Sequence, residues 1–432
     1  VIAIGFVLLM PLLRTAVGGD SFLGSETYYH LNNIAQPIQF YDQVISFLIN
    51  HLGEQIVVSY LPVLLILLSV LLFSNLFKNF LDSDNEYFYA LIIVLLTPAF
   101  LMAHLGLTIA SMVLFLLLLV IYLYLKSSYF YLVVLVLLYL FDPVIGVLLT
   151  VFLLIREIIK QNYSSIIVLL LTLTILLVTT FSTSLRTYFI HPNLMFFNIN
   201  SVFAFFGGVY GFTLFLLVLG ILGLIRTVKH HPFLSITSLV VLTISLFYEP
   251  AKLIGVIVLV VYSAKSFNHL VQRKWEVQYI GQLVIILFLC MLFFSTTTFI
   301  KGELYQEPTM NQIQDLKFVE DLPLTLESKV LVIPKEAEYT MYYSKRTAFA
   351  SNYRSQEDVD LALDLFSTRN YLTIKEQFQQ EKIGLIIVNH DVIDYLQKQG
   401  EGLLFVMENN DNFVKIYQAK ESVIYYFKLW NE

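Results

Sequence analysis

The sequence predicts a multi-pass α-helical membrane domain of about nine to eleven membrane segments, followed by a small α/β domain outside the membrane. Three observations carry this expectation. Of 432 residues, 58% are hydrophobic and 13% charged, about half the roughly 25% charge of an ordinary soluble domain. That charge is scarce from Gln55 to Ile300 and dense from Lys301 to Glu432. Within the charge-poor part, long apolar runs recur, which suits helices in hydrocarbon. A mean hydropathy of +0.75 excludes a wholly soluble enzyme. The net charge of −6 and a pI near 5.8 argue against a nucleic-acid partner, which needs a basic face. The single cysteine, Cys290, excludes an internal disulfide framework and a Cys-based metal site.

The membrane domain is expected over 1–300, with its first outer loop at 14–55, and the second domain over 301–432. The chain opens at Val1 inside an apolar run, so no signal peptide is assigned and a preceding piece is expected. The runs are Val1 to Leu13, Ile56 to Phe77, Tyr87 to Ala103, Leu105 to Leu125 and Tyr129 to Ile155. They continue with Ile166 to Leu185, Gly208 to Ile225, Phe233 to Tyr248, Leu253 to Ala264 and Tyr279 to Ile300. Joints near His104 and Glu249-Pro250 are very short, which predicts antiparallel neighbours.

Lys and Arg in short loops favour the cytoplasmic side. Lys78, Lys126, Arg226 to Lys229 and Lys265 to Lys274 alternate correctly; Arg156 and Lys160 do so only if Tyr129 to Ile155 enters and returns. Pro143 removes a helix donor at the centre of that run. Two readings stand: a re-entrant pair of half-helices meeting at Asp142-Pro143, or one kinked helix. Asp142 is an intramembrane acid, hence a functional candidate; as Asp-Pro it equally suits the cap of a second half-helix. With the re-entrant pair, the outer face receives 14–55, His104, 186–207, 249–252 and the C-terminal domain.

In that domain Val330 to Ile333 and Leu385 to Val388 have buried-strand character, and Asp358 to Phe366 and Tyr371 to Phe378 have helical spacing. Leu403 to Met407, Phe413 to Tyr417 and Val423 to Phe427 are expected as further strands, with a turn at Glu408 to Asn412. The domain carries no P-loop and no GxGxxG, so a binding or docking lid is expected.

The first outer loop holds the most chemistry. Asp20 and Glu26 are carboxylates just beyond a membrane helix, and Glu26 and His30 share a helix face at a spacing of four. A carboxylate at such a boundary suits a general base acting on a hydroxyl acceptor. The plainer reading has Asp20 capping a short interfacial helix and Tyr28 and Tyr29 anchoring it as belt aromatics. Arg14, Arg186 and Lys252 are outer-end cations able to pair a phosphate at a low-dielectric boundary, beside His104 and His191; each also suits snorkelling. Arg186 to Asn198 is a long aromatic loop, readable as a lid over a prenyl chain or as an interfacial helix. Glu249 and Lys252 share one outer turn, which suits a sugar hydroxyl or an ordinary helix start.

Glu26-Thr27-Tyr28-Tyr29-His30-Leu31 resembles the Asp-Pro-Tyr-Tyr-His-Leu run in the first luminal loop of GT-C membrane glycosyltransferases. Examples are the archaeal oligosaccharyltransferase catalytic subunit and the polyprenyl-phosphate-sugar-dependent mannosyltransferases. Here Glu replaces Asp. Leu96-Thr97-Pro98-Ala99-Phe100 is similar to the segment that precedes the second outer loop of that family. Two departures matter. Ala103-His104-Leu105-Gly106-Leu107 carries no carboxylate where oligosaccharyltransferases have an acidic pair, and their Trp-Trp-Asp-Tyr-Gly signature is absent, the only tryptophans being Trp275 and Trp430.

The resemblance implies an inverting glycosyltransferase, a hexosyltransferase in the plasma membrane. It would move a sugar from a polyprenyl-phosphate carrier to a glycan, lipid or protein acceptor on the extracytoplasmic face. Glu26 is then the catalytic residue with Asp20 beside it; His30, Tyr29, Arg186, His191, Glu249, Lys252 and His104 are substrate-binding candidates. The departures favour a metal-independent enzyme with no required cofactor, while Mg or Mn stays open. The rivals are a non-catalytic scaffold and a lipid-linked saccharide transporter; inverted repeats, a mark of transporters, are not evident.

Overall fold

The computed structural model describes residues 2–19, 24–35, 37, 39–182, 213–228, 232–247, 249–275, 278–304, 308–322, 328–353, 355–389, 392–393, 396, 402–419 and 422–428. The chain divides into two compact units. One comprises Val1–Met10 and Ile38–Glu303, the other Pro11–Pro37 and Leu304–Glu432. The first outer loop up to Pro37 therefore groups with the C-terminal residues rather than with the membrane helices that follow it in sequence.

The first unit is a helical bundle. Among the described residues, Glu54–Phe80, Ala251–Gln272 and Tyr279–Lys301 are long and apolar enough to cross a membrane. Asp84–Leu95 and Pro98–Leu105, bent by 55°, together make up to one more. Shorter apolar helices at Ile109–Leu125, Phe130–Phe141, Tyr163–Leu176, Phe215–Val228 and Ser235–Ser245 complete a multi-pass membrane bundle. The apolar runs from Ile166 and from Gly208 extend partly outside the described residues.

The run Tyr87 to Ala103, expected as one segment, is broken. Pro98 has no N–H and disfavours helix before it, so Thr97 is extended with φ −79° and ψ 122°. The carbonyls freed at the break are satisfied: Thr97 Oγ1 donates to Ile93 O and Thr296 Oγ1 donates to Leu96 O, each at 2.6 Å. A broken helix in hydrocarbon persists only with such partners. The joint expected near His104 lies instead at 106–108, where Thr108 caps Ile109–Leu125 and its hydroxyl donates to Ala103 O at 2.6 Å.

Phe130–Phe141 and Pro143–Ile159 are two half-helices, and the chain turns back between them. A methyl placed on Gly146 would lie 2.8 Å from the Tyr139 Cα, so the two backbones touch within a turn or two of the break. One kinked helix cannot bring those residues together. Asp142 caps the second half-helix: its Oδ1 accepts from the Ile145 N–H at 2.9 Å, with Pro143 at the first helical position. Leu135 and Leu138 share a core with Ile145, Leu149 and Leu153. Leu214–Val228 packs equally closely on Glu249–Gln272, where Gly223 leaves room for the Tyr262 carbonyl; small residues permit such approach between membrane helices.

The second unit is an α/β domain. Its four-stranded sheet comprises β1 (Lys329–Leu331), β2 (Ile383–Asn389), β3 (Phe413–Gln418) and β4 (Ser422–Phe427), in the order β1-β2-β4-β3. β1 and β2 are parallel, joined through Ala337–Ser344, Gln356–Ser367 and Tyr371–Glu381; β4 is antiparallel to both β2 and β3. All seven residues of β2 are buried, because both faces of the sheet are covered. Ile386 and Val388 pack with Leu365, Phe366, Ile374 and Phe378. Leu385 and Ile387, on the opposite face, pack with Tyr28, Leu316, Val319 and Tyr339. Leu403 to Met407, expected as a strand, is part of the helix Gly402–Glu408: Leu403, Val406 and Met407 are buried at helical spacing while Phe405 is exposed. Below, Asp315 accepts from the Tyr417 and Ser422 hydroxyls, and the first of these bonds pushes the Tyr417 phenol up.

Candidate active site

The helix Ser25–Asn32 carries the Glu26 motif, and at eight residues it is too short to be stable alone. Its stability comes from the second unit, where Tyr28 sits among the rings of Tyr339, Tyr342 and Tyr343 with centroids 5.6–6.3 Å away. Leu31, Thr27 and His30 are buried with it. Tyr28, read in sequence as a membrane-belt anchor, is instead a core residue of the α/β unit. The first-loop helix, expected within the membrane domain as part of 14–55, thus groups with the α/β unit.

Glu26 and Tyr29 keep the partly open face. The Glu26 Oε1 lies 3.5 Å from His30 Nε2, with His30 fully buried and the Glu26 side chain 21% exposed. The i, i+4 spacing thus forms the expected pair. The Tyr29 ring stands edge-on to His30 at 5.2 Å and stacks on Tyr353 at 4.9 Å with an interplanar angle of 20°. The Tyr353 hydroxyl and Ser25 Oγ are hydrogen-bonded at 2.9 Å. At the other end of the helix, Asn32 Nδ2 donates to the Glu338 carbonyl at 2.9 Å and to Glu338 Oε2 at 3.1 Å. The buried Glu338 also accepts from Ser351 Oγ, which in turn accepts from the Tyr353 N–H at 3.1 Å. Sequence reasoning missed Glu338, Ser351 and Tyr353. Their only signal was the unusual density of tyrosine from 339 to 343.

Of the other candidates, His104, Glu249 and Lys252 lie in the membrane unit. His104, on Pro98–Leu105, is fully buried, and its Nδ1–H donates to the Phe100 carbonyl at 2.8 Å. Since a carbonyl only accepts, that bond leaves Nε2 as the lone-pair nitrogen of the neutral ring, buried without a hydrogen-bond partner among the described residues. Lys252 is buried in the first turn of Glu249–Gln272. Glu249 opens that helix, its side chain lying outside the described set, and Asp20, Arg186 and His191 are likewise outside the described residues. Among the described residues, no three His, Cys, Asp or Glu side chains group as a metal site.

No family model and no curated protein matches the chain. Its fold, however, is similar to several solved structures. The archaeal oligosaccharyltransferase AglB from Archaeoglobus fulgidus, in complex with an inhibitory peptide and a dolichol-phosphate, has a TM-score of 0.60 and 11% identity, over 100% of this chain and 74% of AglB. The apo form of the Archaeoglobus fulgidus oligosaccharyltransferase has a TM-score of 0.56 and 11% identity, over 90% of this chain and 69% of its own. ArnT from Cupriavidus metallidurans, bound to undecaprenyl phosphate, has a TM-score of 0.55 and 10% identity, over 98% of this chain and 97% of ArnT. The chain shares the overall fold of these structures.

Proposed function

We propose that the protein is an integral membrane glycosyltransferase that moves a sugar from a polyprenyl-phosphate carrier to a hydroxyl acceptor on the extracytoplasmic face. The observation that carries this reading is the Glu26–His30 pair on the first-loop helix of a GT-C-like fold. Two of the similar structures hold a polyprenyl phosphate, dolichol-phosphate in AglB and undecaprenyl phosphate in ArnT. ArnT matches this chain over nearly the whole length of both.

In this reading Glu26 takes the proton of the acceptor hydroxyl as its oxygen attacks the anomeric carbon. The bond from that carbon to the phosphate oxygen breaks, the electron pair leaves with the lipid phosphate, and the anomeric configuration inverts. A positioned base of this kind contributes about 10²–10⁴-fold. His30 holds the carboxylate, Tyr29 borders it, and Asp20 supports it. The phosphate requires cations, and Lys252 and Arg186 serve, with His191 as a hydrogen-bond donor to it; His104, through its Nε2 lone pair, and Glu249 accept from sugar hydroxyls.

No step here is routed through a metal: no carboxylate stands between Ala103 and Leu107, and the EDTA arm below decides whether Mg or Mn takes part. The same missing carboxylate favours a second reading, a non-catalytic scaffold. Purified full-length protein, given a panel of labelled polyprenyl-phosphate sugars with and without EDTA, separates the two. The enzyme reading expects transfer that survives EDTA and is abolished in Glu26→Gln. Folded protein that binds lipid phosphate yet transfers from no donor supports the scaffold.

A further inference from the structure

We propose that Tyr353 is a positioning residue for the Glu26–His30 pair, a role that rests on the transferase reading given above. Tyr353 holds the first-loop helix at two places that flank Glu26. Its hydroxyl bonds Ser25 Oγ at 2.9 Å, and its ring stacks on Tyr29 at 4.9 Å. Tyr29 passes that constraint on, because its ring stands edge-on to His30, whose Nε2 faces Glu26.

Docking alone does not require this second grip. Tyr28 anchors the helix in the α/β core with Thr27, His30 and Leu31 buried beside it, and Tyr353 makes its contacts on the partly open strip that carries Ser25, Glu26 and Tyr29. A small rotation of an eight-residue helix moves the Glu26 carboxylate by the order of an ångström, and misplacement of about 1 Å costs roughly 10²-fold in rate. The stack at Tyr29 and the hydrogen bond at Ser25, on either side of Glu26 in sequence, oppose that rotation. The grip is itself braced. The Tyr353 N–H donates to Ser351 Oγ, Ser351 donates to buried Glu338, and Glu338 receives Asn32 from the far end of the same helix. One short segment, Ser351 to Tyr353, thereby holds both ends of the helix that carries the base.

Two readouts test this in the full-length protein. The first is kinetic: Tyr353→Leu is expected to lower kcat about 10–100-fold per folded molecule with the donor KM within about twofold, and to shift the acid limb of the pH–rate profile. Tyr353→Phe, which keeps the stack, stays within about threefold. The second needs no activity: histidine-labelled protein, with the His30 signal assigned through His30→Gln, is titrated by NMR. Tyr353→Leu is expected to move the His30 resonance and its midpoint, while Tyr353→Phe restores both. Should Tyr353→Leu not fold, Tyr353→Met, which likewise lacks both ring and hydroxyl, takes its place with the same expected shift. Unchanged His30 signals in the variant used overturn the proposal. A wild type that transfers from no donor removes the transferase reading, while the His30 titration still decides whether Tyr353 sets the pair.

Discussion

The two units satisfy their buried polar groups over different ranges. In the membrane unit some hydroxyls turn back on their own helix, Thr150 to Gly146 O at 2.7 Å and Thr227 to Gly223 O at 2.8 Å, and others reach a backbone carbonyl on a neighbouring segment, Ser263 to Leu216 O at 3.0 Å and Thr296 to Leu96 O at 2.6 Å. In the α/β unit the partners are far apart in sequence. Asn32 meets Glu338, Asn389 donates to Glu336, Tyr417 and Ser422 meet Asp315, and the Arg346 guanidinium donates to the Val319 and Leu322 carbonyls. Burial among those carbonyls holds Arg346 below its usual range. Hydrocarbon offers a side chain no polar partner, so a membrane hydroxyl bonds a backbone carbonyl of its own helix or of a helix packed against it. In the α/β unit the buried carboxylates exist only once distant segments have met.

That contrast predicts units that fail separately. Phe378→Ala empties the centre of the α/β core and is expected to cost about 3–5 kcal/mol. In thermal unfolding followed with limited proteolysis, the fragment from 304 onward and the segment 25–32 lose protection together, while the membrane fragment keeps its midpoint. A parallel fall in both midpoints breaks the comparison. Gly146→Ala, which drives a methyl against the Tyr139 backbone, is expected to cost about 1–3 kcal/mol and to act on the membrane unit alone. Asp142→Ala removes a helix cap for about 1 kcal/mol, whereas Asp142→Asn, which still caps, is nearly neutral in the same assay.

The smallest effect is one of pH. The bond to Asp315 raises the Tyr417 phenol in the folded state, so the neutral form is favoured there. The stability this contributes is complete below about pH 10, where tyrosine ionises in an unfolded chain, and is lost as pH rises through the higher folded value. Alkaline unfolding of the α/β unit is therefore expected to be steeper in the wild type than in Tyr417→Phe. Equal slopes assign the bond no part in stability.

Much of this architecture was legible in the residues themselves. The apolar runs announce the bundle, Asp142-Pro143 announces a capped half-helix, and Glu26 and His30 announce a pair at helical spacing. The failures have identifiable causes. Tyr87 to Ala103 reads as one apolar segment because hydropathy is blind to backbone, yet Pro98 bends it by 55°. Leu403 to Met407 is five apolar residues long, too short for periodicity to separate strand from helix, and packing of Leu403, Val406 and Met407 decided it.

The candidate site shows the same division. Sequence alone determined that Glu26 and His30 lie on one side of a short helix, because a spacing of four fixes their angular relation wherever the helix goes. It also determined the membrane class, through composition, and the Asp142 cap, through a local rule. Only the tertiary structure decided that this helix belongs to the C-terminal unit, that Tyr28 is core, and that Glu338, Ser351 and Tyr353 hold it. Those partners lie roughly 300 residues away in the chain. A contact across that span leaves no mark on local periodicity, because it follows from where two surfaces bury each other rather than from how neighbouring residues are spaced.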